Sequence, residues 1–103
     1  MPPSVTEYDL VENGVTVRCR PLRVRERLSL KARAIGDFGA AVHDAFRLAV
    51  TALDSHPAIA PGPAGLADDA VETIAASHGL GFVGEVGARV LERAALLESD
   101  RKN

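Results

Sequence analysis

The hydrophobic pattern changes period once, at Pro21, and that change divides the chain into a short extended part and a longer helical one. Before it, Val15-Thr16-Val17-Arg18-Cys19-Arg20 alternates strictly and follows Tyr8-Asp9-Leu10-Val11 across Glu12-Asn13-Gly14. Asn-Gly accepts the positive φ that a tight hairpin turn demands, so residues 4–22 predict a β-hairpin. Val15, Val17 and Cys19 then face inward, and Thr16, Arg18 and Arg20 outward. An isolated hairpin is marginal in water. Its apolar face must lie on the helices that follow or on another chain.

After Pro21 the spacing becomes helical. Val24, Leu28 and Ile35 form one side of a first helix, Arg23, Arg27 and Lys31 recur at i, i+4 on another, and Gly36 ends it. Asp37 is placed to cap a second helix over 38–54, with Phe38, Val42, Ala45, Phe46, Ala49, Ala52 and Leu53 inward. Residues 55–66 contain His56, three prolines and two glycines, and predict an exposed loop. A third helix over 68–78 starts at Asp68-Asp69, where Asp69 and Glu72 have capping-box spacing, and ends at Gly79. The last, over 82–98, turns Val83, Val86, Val90, Ala94 and Leu97 inward and pairs Glu85 with Arg89. Residues 99–103 should fray. The pattern gives one domain over 1–103: mainly α, about four helices, with the hairpin at 4–22 and the helical part at 23–98.

With no Trp and only Tyr8, Phe38, Phe46 and Phe82 as aromatics, Val, Leu, Ile and many Ala must fill the core. Small side chains bury little area each, so a partner would add stability. A lone cysteine makes no internal disulfide, and Cys19 sits where a small buried hydrophobe is expected. The chain has no run of about 18 apolar residues, and Met-Pro-Pro-Ser has neither part of a signal peptide, which predicts a cytoplasmic protein.

The net charge of −2 hides an asymmetry. Between positions 18 and 33 seven basic residues face Glu26 alone, a net of +6. Five basic against thirteen acidic residues leave −8 elsewhere. Nucleic acid is a poor match, because no aromatics accompany these arginines and the total charge is negative. Contact with an acidic protein face fits better, including head-to-tail self-association of the basic end with the acidic body, which makes rings or filaments.

Reactive residues are scattered. His43 lies on a helix surface, His56 opens the proline loop and His78 ends a helix, and no pair has ligand spacing, so neither a metal nor a cofactor is expected. Gly79-Leu80-Gly81-Phe82-Val83-Gly84 matches the dinucleotide-binding string in letters only, since a helix and not a strand precedes it. Ser29, Ser55, Ser77 and Cys19 lie in no nucleophile context, so the chain reads as a non-enzyme.

The order of features resembles the tail assembly chaperones of long-tailed, siphovirus-like bacteriophages and prophages. The resemblance runs through Val15-Thr16-Val17-Arg18-Cys19-Arg20-Pro21-Leu22, the helix Val24-Arg25-Glu26-Arg27-Leu28-Ser29-Leu30, the long amphipathic helix, Leu66-Ala67-Asp68-Asp69-Ala70-Val71-Glu72, and the closing Arg101-Lys102-Asn103. It covers most of the chain in size, order and pattern. It implies a non-catalytic protein of the bacterial host cytoplasm that binds the tape-measure protein and helps recruit tail-tube subunits. The pattern here, not the family, suggests Arg23, Arg27, Lys31 and the loop residue Ile59 as partner contacts. The rival readings are a small virion or head-tail connector protein and a bacterial regulatory or nucleic-acid-binding adaptor.

Overall fold

The computed structural model describes residues 7–57, 59–62 and 65–102, with side-chain surroundings up to Ala94. Positions 4–6 of the expected hairpin, the inward role of Leu97 and the terminal Asn103 lie outside the described residues. The elements run β1 (Tyr8–Glu12), β2 (Val15–Cys19), α1 (Val24–Gly36), α2 (Phe38–Ala49), β3 (Val50–Leu53), α3 (Asp68–His78) and α4 (Leu80–Lys102). The fold is mainly α, with four helices and an N-terminal hairpin, as the periodicity predicts.

Asn13 and Gly14 make the hairpin turn with φ of 52° and 78°, the doubly positive pair of a type I′ turn. Tyr8 opposes Cys19, Leu10 opposes Val17 and Glu12 opposes Val15. One face of the ribbon therefore carries Tyr8, Leu10, Val15, Val17 and Cys19, and Val17 and Cys19 are fully buried. Arg93 lies over the Tyr8 ring at 3.9 Å, and Arg89 donates to the Val11 carbonyl at 2.8 Å and meets Glu12 at 3.4 Å. These contacts hold α4 against β1. They also correct the expected surface pair, because the Arg89 guanidinium reaches across to the hairpin and does not stay on its own helix with Glu85.

A third strand replaces the end of the expected second helix. α2 stops at Ala49, and Val50–Leu53 adds to β2 in the order β1-β2-β3, all antiparallel. Val50 and Leu53 are both buried although three residues apart, a spacing that suits a helix. The strand accommodates it with a bulge. Val50 opposes Cys19, Ala52 opposes Arg18, and Thr51 is the extra residue, its hydroxyl donating to the Arg18 carbonyl at 3.2 Å. Two branched side chains at Val50-Thr51 and the unpaired edge of β2 favour extension here.

Asp37 caps α2 as expected, its carboxylate accepting the Ala40 N–H at 3.1 Å. Below it Ala41, Ala45 and Ala49 line one fully buried row beside Phe46. Small side chains there let α4 approach closely. A Cβ on Gly87 would strike the Val42 carbonyl oxygen and come within 2.8 Å of Val42 Cγ1. Phe46 and Phe82 meet edge to face at 6.4 Å in the same layer, and Val83, Val86 and Val90 continue it along α4. Phe38, expected inward, is instead exposed.

The loop between β3 and α3 is not wholly solvent-exposed. Leu66 is buried, its N–H bonding the Arg47 carbonyl at 2.9 Å, and Gly65, with φ of 96°, lies so close to that carbonyl that a Cβ would sit 2.6 Å from it. α3 spans the predicted residues, but its cap is Ala67, with no side-chain hydrogen bond; Asp68 and Asp69 supply negative charge in the first turn instead. Gly79, with φ of 94°, ends α3, and α4 begins at once with Leu80. α4 continues to Lys102, past Ser99, where fraying was expected.

The two α4 glycines should respond oppositely to substitution. Gly87→Ala is expected to lower stability by about 1–3 kcal/mol through overpacking against α2. Gly84 has open space around its Cβ position, so Gly84→Ala should raise stability by up to about 1 kcal/mol. Urea denaturation of both variants checks the pair.

Candidate interaction surface

α1 is placed by a clasp at its start. Glu26 accepts the Arg23 backbone N–H at 2.8 Å and the Nη1 and Nη2 groups of Arg20, at 3.0 and 2.7 Å, closing an end-on, two-bond ion pair between the end of the hairpin and the first turn of the helix. Arg20 also donates to the Pro21 carbonyl at 3.1 Å. Burial alone pushes the Glu26 carboxyl up, yet the hydrogen bond from Arg20, that from the Arg23 N–H and the two positive charges outweigh it and hold the group below its ordinary value. The same pairing raises Arg20.

The clasp fixes the rotation of α1. Glu26, Leu30 and Ala34 make the inward row, and Leu30 is the one buried residue the helix contributes. At about 100° per residue, Val24, Leu28 and Ile35 fall within roughly 40° of one another on the far side. They are 54%, 58% and 85% exposed. The apolar side of α1 is thus an outward ridge, and Phe38 at the α1–α2 corner is itself 58% exposed. Large apolar side chains on one exposed face, unlike the same residues scattered singly, make this ridge a candidate interaction surface.

The basic window is partly neutralised within the fold. Arg18 pairs with Asp9 at 3.2 Å, Arg33 with Asp44 at 3.1 Å, and Arg20 with Glu26. Arg23, Arg25 and Lys31 stay exposed. Arg27 does not join Arg23 and Lys31 in a continuous basic face: it is half-buried, donates to the Leu22 carbonyl at 3.1 Å and lines a narrow crevice with Tyr8, Val90 and Arg93. Ile59, expected as an exposed apolar contact, is half-buried and packs on the core. Of the four suggested contact residues, only Arg23 and Lys31 are exposed.

Elsewhere, His43, Asp68, Val71, Glu72, Ala75 and Leu80 line an open groove of about 290 Å3. Its His43 ring lies 3.9 Å from Asp44, outside hydrogen-bond reach. Leu80 is 78% exposed on its rim. The groove offers acid and apolar surface together, with no paired nucleophile and base. Cys19 is a core thiol that burial pushes up to about 12, so it carries almost no thiolate near neutrality.

One grouping of reactive side chains has no counterpart in the linear spacing. Ser55 Oγ lies 3.0 Å from His56 Nδ1 and 2.9 Å from His78 Nε2, and Ser77 Oγ lies 3.2 Å from His56 Nε2. The two imidazoles meet edge to face at 5.4 Å, and His78 lies against Phe82 at 4.7 Å. The partners are 22 residues apart in sequence, and they meet because β3 ends beside the C-terminus of α3.

Comparison with known proteins gives no matching family model, no matching curated protein and no matching solved structure.

The clasp makes the stability of the fold acid-sensitive. Because Glu26 is held below its unfolded value of about 4.3, its stabilisation is complete above that pH and disappears as pH falls through the lower folded value. Glu26→Gln should lower the melting temperature at pH 7, and the gap from the parent should close towards pH 3. A thermal-melt series against pH measures this; a gap independent of pH would show that the charge is immaterial.

Proposed function

We propose that this chain is a non-catalytic binding protein of the tail assembly chaperone type, which covers an apolar helix of the tape-measure protein until tail-tube subunits arrive. The observation that carries the reading is the outward ridge of α1. Val24, Leu28 and Ile35 repeat at the spacing by which one helix reads another, and they are turned away from their own core. Arg25 and Lys31 on the same helix, with Arg23 just before it, favour a partner helix with acidic flanks. An unassembled tape-measure helix exposes apolar surface that aggregates unless covered.

The test is co-expression with a long apolar helical neighbour from the same gene cluster. Leu28→Asp and Ile35→Asp should each leave stability within about 0.5 kcal/mol, as exposed positions do. Each should also weaken the complex at least tenfold, since burying such a side chain is worth roughly 1.5–3 kcal/mol. A soluble complex of unchanged affinity in both variants would remove α1 from the reading. Retention of the chain in purified virus particles would favour the connector alternative, since a chaperone leaves the finished tail. A salt-sensitive DNA shift lost in Arg23→Glu would favour the nucleic-acid-binding adaptor.

A second copy of the chain is the other occupant with support in the surfaces themselves. The basic, apolar ridge of α1 complements the groove of Asp68, Glu72 and Leu80, and a pairing of that kind is head-to-tail. Sedimentation at low and high salt is expected to show larger species that dissociate as salt rises. Lys31→Glu should abolish them, and Lys31→Glu combined with Glu72→Lys should restore them. A monomer at every salt and concentration would eliminate this arrangement.

A further inference from the structure

We propose that His56 and His78, with Ser55 between them, form a surface site for one divalent transition-metal ion of the Cu2+, Ni2+ and Zn2+ class. The site is independent of the α1 ridge and does not rest on the chaperone reading.

Three features of the cluster point to a cation. The first is convergence: His56 Nδ1 and His78 Nε2, from different elements, lie 3.0 and 2.9 Å from the same Ser55 oxygen. An ion between them needs each nitrogen at about 2.0–2.1 Å. The rings reach that distance by closing about 1 Å each as the serine hydroxyl turns aside or becomes a third ligand. The second is anchoring. His56 is fixed by its N–H to the Leu53 carbonyl at 3.2 Å and by Ser77 at its Nε2, while His78 rests on the buried Phe82. Ordered rings lose little freedom on binding, and the Ser77 contact acts as the outer hydrogen bond that orients a ligating imidazole.

The third is field. His78 is the last residue of α3, where the unpaired carbonyls of the helix end carry partial negative charge and favour a cation. Ser55, Ser77 and His56 bring no positive charge to it while the imidazoles are neutral. Among the described residues no third His, Cys, Asp or Glu joins the group. The ion therefore keeps water in its remaining positions, and the site is an open one of modest affinity. Two imidazole nitrogens and a hydroxyl suit borderline metals and not Mg2+ or Ca2+, and among borderline metals Cu2+ should bind most tightly. A bound ion clips the end of β3 to the α3–α4 corner, closing the intervening loop through a protein–metal link.

The experiment is titration of the full chain with Cu2+, Zn2+ and, as the hard-cation control, Mg2+, followed by calorimetry and by NMR of the histidine rings. One equivalent of Cu2+ is expected to bind, with Zn2+ weaker and Mg2+ silent. Cu2+ should broaden the ring signals of His56 and His78 before those of His43. His56→Gln and His78→Gln should each weaken binding at least tenfold, and His43→Gln should leave it unchanged. Ser55→Ala separates a metal site from a hydrogen-bonded corner, because it breaks the serine bridge but keeps both ring nitrogens and should retain the ion. Absence of saturable binding, simultaneous broadening of all three histidines, or full affinity in His56→Gln and His78→Gln would overturn the proposal. The wild-type ring broadening decides the matter even if a variant fails to fold.

Discussion

The close crossing of α2 and α4 is the contact on which the rest of the molecule depends. It joins the fully buried row of Ala41, Ala45 and Ala49 to a helix that has glycine where Val42 presses hardest. An alanine-rich chain with few aromatics has little apolar area to bury per residue, so it compensates by bringing backbones together and increasing the number of packed atoms. Phe46 and Phe82 add an edge-to-face ring pair to that layer. The hairpin then lies on α4 through β1, where Arg93 covers Tyr8, while Val17 and Cys19 join the same core and α3 closes on α4 with Val71 and Ile74.

α1 stands apart from this arrangement. It is held at one end by the Arg20–Glu26 clasp, along its length by α2, and in the interior by Leu30. An ion pair that is partly open to solvent usually stabilises weakly. This one lies on the same side of α1 as Leu30 and Ala34, opposite the exposed Val24, Leu28 and Ile35.

The sequence was most legible where one residue type answers one local need. Asn13-Gly14 can take two positive φ values in succession, Asp37 can accept an N–H at a helix start, and Gly79 can end a helix left-handed; each stands where it was expected. It was least legible where two structures share one spacing. Phe46, Ala49, Val50 and Leu53 fit a continuing helix and also a helix followed by a bulged strand, and the free edge of β2, with the branched pair Val50-Thr51, distinguishes the two. The inward face of α1 was not legible for a related reason: Val24, Leu28 and Ile35 have a clear helical periodicity that does not say which way they face, while Leu30 and Ala34 are a fainter signal. The Ser55, His56, Ser77 and His78 grouping joins two segments through the fold and has no short-range spacing to reveal it.

The single rooted side chain of α1 has an evolutionary consequence. With Leu30 alone reaching the interior, replacements along the outer row do not disturb the layer beneath. The exposed face of such a scaffold can therefore change its chemistry by surface replacements alone, while the core that folds it stays the same.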